Sequence, residues 1–303
     1  LARSATHRLS VTRLHPQTTC QSLTSPSGTQ GQPTSLRLVR YTQSDEIKSF
    51  MKCYASILNN CSNIQSKEHI FSRNIFSEKI ALQGFPWCLN EPKEIGIDSA
   101  VARILCTTHN KLLINFDSAA GNFFRLMQEF SNHEAKMKAR NYSFYEKKRY
   151  NINGYLLEKW FVKTLLNILF YQNFEANHNI NLEYLLEILY NGKNFENPYG
   201  LSIMVAYGSS IGTQDSIFIV PTISQITKEI VGALFKFRGI KFFLKIKPEH
   251  PESNSDIIFV DSDQQEWNGL NGLWHPNRIN MTIPNTKKIF QTIDFHWKAS
   301  DSV

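Results

Sequence analysis

A chain of 303 residues, 42% hydrophobic and 12% aromatic, is long enough to bury one large core or two modest ones, so its central and C-terminal parts read as globular. Its net charge of +7 alone would point to a polyanionic partner, but five arginines lie in the acid-free first 44 residues. The remaining 28 basic and 26 acidic residues leave +2, which excludes a globally basic folded surface and makes any basic binding face local.

No stretch reaches 18 uncharged apolar residues, since even Trp160 to Tyr171 contains Lys163, so no transmembrane helix and no membrane partner are expected. Cysteines at 20, 53, 61, 88 and 106, behind no apolar secretory core, point to reduced thiols and metal binding rather than a disulfide framework. The Asn-, Ile- and Lys-rich text resembles that of an AT-rich bacterial genome, and the cytoplasm is the expected location.

In chain order, residues 1–44 read as a disordered tail. Its Arg- and Ser-rich, acid-free composition fits a transit peptide, with an over-extended reading frame the preferred explanation. Residues 45–130 are dense in Cys, His and Asn, as in a small module held by metal. Within them Ser118 to Phe130 reads as a helix with Ala119, Phe123, Leu126 and Phe130 on one face. Residues 131–192 begin with a basic, aromatic linker, Lys136 to Asn151. Asn153 then caps a helix through Phe174, and Asn181 opens a helix from Leu182 to Tyr190, stopped at Gly192.

Residues 193–303 read as an α+β domain of unassigned role whose texture turns to strands after Pro198. These are Leu201 to Tyr207, Ser216 to Val220, Val231 to Phe237, Ile240 to Ile246, Ile257 to Val260, Arg278 to Ile283 and Phe290 to Trp297, with a tight hairpin at Arg238-Gly239. The fold class is α+β: a metal-stapled N-terminal module, two middle helices and a mainly antiparallel C-terminal sheet.

Structural zinc prefers four Cys or His ligands delivered as two pairs. Cys106 and His109, with two residues between them, make a good knuckle; Cys61 is the third candidate. Cys53, separated from it by seven residues, and Cys88 compete for the fourth place, with Cys53 preferred. Nearby, Glu68-His69 joins a carboxylate that can bind a divalent cation to an imidazole that can deprotonate an attacking water.

Cys61-x7-His69 with Glu before His, followed by Leu105-Cys106-x2-His109-Asn110, Leu113 and Phe116-Asp117, resembles the HNH endonuclease group of the ββα-metal (treble-clef) nucleases over about residues 53–125. The resemblance implies a small zinc-stapled ββα module. His69 would be the general base, Glu68 and Asn110 ligands of a catalytic Mg²⁺ or similar cation, and Cys53, Cys61, Cys106 and His109 ligands of a structural zinc. The connection from Ile70 to Ile104 is long for such a unit and should hold an inserted loop or strand. Asp117 is either a further metal ligand or, preferably, the N-cap of the helix at Ser118.

Lys138, Arg140, Lys147, Lys148 and Arg149, interleaved with tyrosines and Phe144, form the local basic cluster expected to contact nucleic acid. Trp267, Trp274, His275 and Trp297 read as core. The resulting expectation is a metal-dependent endonuclease acting on DNA. Its rival is a non-catalytic zinc-binding module for nucleic-acid or protein recognition, and a third possibility is an interaction protein without nucleic acid.

Overall fold

The computed structural model describes residues 53–76, 79–82, 93–140, 146–172, 178–204, 217–224, 226–237, 240–251, 259–260, 266–267, 273–282 and 288–297. The tail 1–44, Cys88 and Arg238-Gly239 lie outside these residues, and the side chains of Lys138, Arg140 and Trp267 lie outside the described side chains.

A 3₁₀ turn, Ser56–Leu58, precedes β1 (Glu68–His69), β2 (Lys79–Leu82) and β3 (Lys93–Gly96). A second such turn, Ile97–Ser99, leads to β4 (Val101–Ala102). Helices α1 (Thr107–Lys111) and α2 (Ile114–Arg140) follow, then β5 (Lys148–Asn153), α3 (Gly154–Tyr171) and α4 (Leu182–Tyr190). The rest is strand: β6 (Gly200–Met204), β7 (Ile217–Ile223), β8 (Ile230–Phe237), β9 (Ile240–Lys245), β10 (Phe259–Val260), β11 (Glu266–Trp267), β12 (Leu273–Trp274), β13 (Arg278–Thr282) and β14 (Ile289–His296).

The strands expected after Pro198 are present within a few residues of their anticipated limits, and the fold is α+β with antiparallel sheets. One sheet has the order β12-β6-β9-β8-β7 and is antiparallel throughout. Phe237 pairs with Ile240 across the β8–β9 ladder, the register a two-residue connection requires. Phe235, Phe237 and Phe242 share one face of that sheet and meet the two long helices. Phe161 lies 4.9 Å from Phe235 and 5.0 Å from Phe242, and Phe124 lies 4.5 Å from Phe237 and 5.5 Å from Trp160. The segments read as module, middle helices and sheet domain thus pack ring against ring in one core.

The capping residues act as their chemistry dictates. Asn153 Oδ1 accepts from the Leu156 N–H at 3.1 Å and Asn181 Oδ1 from the Tyr184 N–H at 3.2 Å, while Gly192, at φ +74°, stands just beyond the end of α4. Asn153→Ala is expected to cost about 1 kcal/mol and to lower the melting temperature by about 2–4 °C, checked by thermal denaturation.

Two expected elements differ. Helix α2 begins at Ile114, so Asp117 sits in its first turn rather than capping it, with its carboxylate engaged by Lys163 and Ser72. The helix also runs on through Arg140, where a linker was expected. After the last apolar anchor, Phe130, the Glu, Ala, Lys, Met and Arg residues are strong helix formers and carry it further.

The end of that expected linker is a strand. β5 pairs in parallel with β14, from Gln291↔Lys148 to His296↔Asn153, and β14 pairs antiparallel with β13. Ile152 is buried and Tyr150 half-buried, while Arg149 and Asn151 are exposed, the alternation of a half-covered strand.

The long Ile70–Ile104 connection holds the β2–β3 hairpin. It separates β1 from β4, which pair as Glu68↔Ala102 and His69↔Val101, and a bridge from Gln65 to Cys106 extends that pairing to the start of α1.

Candidate active site and metal centre

Cys106 is the N-cap of α1. Its extended backbone turns the sulfur back to accept from the His109 N–H at 3.5 Å, and the same turn sets its Sγ 3.1 Å from His109 Nδ1. Two residues between cysteine and histidine place both on one side of a single turn, the geometry anticipated for this pair.

Cys53 and Cys61 arrive on either side of the Ser56–Leu58 turn. Their sulfurs lie 3.5 and 3.6 Å from the same Nδ1. All four donors fall within 4.8 Å of one another and form a Cys₃His group that can hold a metal ion. Donors on a tetrahedron with Zn–S of about 2.3 Å and Zn–N of about 2.0 Å are about 3.5 Å apart, so the spacing and the soft donor set both fit zinc. The fourth member among the described residues is Cys53.

The group is sheltered: Cys106 and His109 are fully buried, Cys53 nearly so and Cys61 partly. Burial pushes the Cys53 thiol up, and burial with the neighbouring Cys53 and Cys106 sulfurs pushes Cys61 up to about 12. Burial also opposes the Cys106 thiolate, but hydrogen bonds from His109 and Ser62 prevail and bring it down to about 6.

Beside the metal group, β1 and the start of the helical segment enclose a cleft of about 300 Å³ whose walls include Glu68, His69, Asn110 and Asp117. The three residues singled out for hydrolytic chemistry come together there. The Asn110 amide donates to Ser66 Oγ at 2.6 Å, which turns its carbonyl oxygen away from Ser66. His69 Nδ1 is buried with no hydrogen-bond partner among the described residues, a condition that costs on the order of 1–3 kcal/mol.

Beneath the cleft lies a residue that sequence reasoning missed. Lys163, 2% exposed, places Nζ 2.6 Å from Glu68 Oε1 and 2.7 and 2.8 Å from the two oxygens of Asp117. Asn167, one turn further along α3, donates to Glu68 Oε1 at 3.2 Å and to the His69 carbonyl at 3.1 Å. Trp160 donates to Ser72 Oγ at 2.6 Å, and Ser72 in turn donates to Asp117. Burial pushes the Glu68 carboxyl above its ordinary range, with Lys163 pulling the other way. One helical face, Trp160, Lys163 and Asn167, therefore fixes both carboxylates. The available signal was a single lysine, with an asparagine four residues on, inside the most apolar stretch of the chain.

The cations on the cleft wall are Lys67, Arg73 and Lys111. Of the expected basic cluster, the members whose side chains are described lie elsewhere, at the start of β5: Arg149 pairs with Asp294, Lys147 is exposed and Lys148 half-buried. Of the aromatic residues read as core, Trp274 is instead exposed and His275 and Trp297 are half-buried, with His275 stacked between Trp274 at 4.1 Å and Trp297 at 3.8 Å. Its Nε2 is 2.6 Å from the buried Glu158 Oε2.

No family model, curated protein or solved structure matches the chain. No helix of the described residues is long and apolar enough to cross a membrane.

Proposed function

We propose that the protein is a metal-dependent, HNH-like endonuclease that hydrolyses DNA phosphodiester bonds. The observation that carries this reading is the cleft that gathers His69, Glu68 and Asn110 next to the Cys₃His group. The β1–β4 pair followed by α1 and α2, with metal donors at both flanks, suits a treble-clef ββα unit. The donor chemistry favours zinc as its structural ion.

In this reading His69 takes a proton from a water that attacks phosphorus, the new P–O bond forms, and the leaving oxygen departs and is protonated from solvent. The His69 side chain lines the cleft in which that water would sit. Glu68 Oε2 and Asn110 Oδ1 would hold Mg²⁺ or a similar cation, which supplies charge stabilisation to the phosphate and leaving oxygen. Lys67 and Lys111 bring positive charge to the rim for the phosphate backbone, beside Arg73, which is paired with Asp98.

One observation favours the non-catalytic alternative, a metal-stapled recognition module: Lys163 already engages Glu68 Oε1 and both Asp117 oxygens and offsets one of their two negative charges. Plasmid nicking in Mg²⁺ or Mn²⁺, paired with elemental analysis, separates the two. His69→Ala is expected to keep bound zinc and the folded state while cleavage falls by about 10²-fold or more. A folded variant that cuts as the parent does would overturn the mechanism, and a zinc-loaded parent that binds DNA without nicking it would establish the module.

A further inference from the structure

The three-stranded sheet β13-β14-β5 turns one face to solvent, and on it lies a second cleft, of about 460 Å³. Its centre is Asp294, a carboxylate only 9% exposed on the middle strand. Arg278 Nε from β13 donates to Asp294 Oδ1 at 2.6 Å, and Arg149 Nε from β5 donates to Oδ2. These hydrogen bonds, Arg149's first, hold the Asp294 carboxyl below its ordinary range, so it stays ionised.

One carboxylate needs one cation, and here two arginines share it. Each guanidinium has five N–H donors and each commits only its Nε, which leaves four per arginine with no partner among the described residues. Both side chains are largely exposed, at 66% and 49%, yet each is tethered at its inner edge. The trio carries a net +1, with Lys147 and Lys148 at the entry to β5. Asn151, Asn277, Phe295 and His296 complete the wall.

We propose that Arg149 and Arg278, oriented by Asp294, form a phosphate-binding subsite that contacts the nucleic-acid backbone away from the catalytic cleft. Outward-facing planar forks suit phosphate oxygens bidentately, and tethering by a buried acid lowers the ordering cost on binding. The nucleic-acid identity of the ligand rests on the proposed nuclease reading; the phosphate chemistry rests on this geometry alone.

The test is anisotropy of a labelled DNA duplex with the full zinc-loaded chain and no added Mg²⁺ or Mn²⁺, between 50 and 200 mM salt, for the parent, Arg149→Gln and Arg278→Gln. Each single variant keeps one arginine on Asp294, so the acid is never left unpaired. Each is expected to lower the slope of log K against log salt by about 0.9, the value for one phosphate contact on duplex DNA. A parallel titration with inorganic phosphate identifies the source: a drop in phosphate affinity with an unchanged DNA slope would assign the subsite to a free phosphate compound. Unchanged DNA slopes and unchanged phosphate binding in variants that melt with the parent would overturn the proposal. Nicking by the parent is a separate signal, so failure of the nuclease reading is told apart from failure of the subsite.

Discussion

Cys106→Ala is expected to release the metal and unfold the N-terminal part of the chain. The thiol would be a metal donor, is the acceptor that caps α1, and belongs to the residue bridged to Gln65. Apparent zinc-binding free energies in small metal-held modules are on the order of 10–16 kcal/mol, comparable to the whole stability of a typical domain, about 5–15 kcal/mol. Loss of a donor from such a group is therefore larger than any single cap or core contact could compensate. Elemental analysis should show the zinc gone, and circular dichroism a loss of ordered structure that added zinc does not restore. Cys53→Ala should lose metal in the same way while Cys88→Ala retains it, which decides the fourth ligand by experiment. Zinc retained at one equivalent in Cys106→Ala would remove the ligand assignment.

What could be read from the sequence was local. The caps at Asn153 and Asn181 announce themselves because a side-chain amide beside an apolar run satisfies the free N–H groups of a first turn. The strands after Pro198 show as β-branched and aromatic runs whose period matches a pleated surface. Cys106 and His109 are one turn apart, so their spacing specifies their geometry. The seven residues between Cys53 and Cys61 specify none; their convergence depends on the Ser56–Leu58 turn and on the Tyr54 N–H bonding to the Ile104 carbonyl.

The parts that were not legible are the long-range ones. The parallel pairing of β5 with β14 joins segments about 140 residues apart, and nothing in either names the other. The basic stretch around Arg149 looked like a solvated linker because its inward residues, Tyr150 and Ile152, are only two. Lys163 was visible only as an interruption in an apolar helix. Its purpose depends on Glu68 and Asp117, 95 and 46 residues upstream, arriving at the same point.

That convergence makes Lys163→Met the second substitution with a large effect. The change keeps volume and helix propensity but leaves Glu68, 3% exposed, and Asp117 facing each other without their cation. Removing one partner from a buried ion pair costs about 3–5 kcal/mol, because the remaining charge has been taken out of water and is no longer paired. A melting temperature lower by roughly 6 °C or more is expected. If the cost is uncompensated charge rather than lost packing, adding Glu68→Gln and Asp117→Asn to Lys163→Met should recover a substantial part of it, since neutral amides carry no charge to strand. A triple variant no more stable than Lys163→Met would show that the lysine's contribution is packing along its aliphatic stem. The same set bears on function: the ammonium holds Glu68 and Asp117 in the floor of the cleft, so a folded triple variant should retain zinc yet lose nicking, placing the carboxylates with the chemistry and the Cys₃His group with the scaffold.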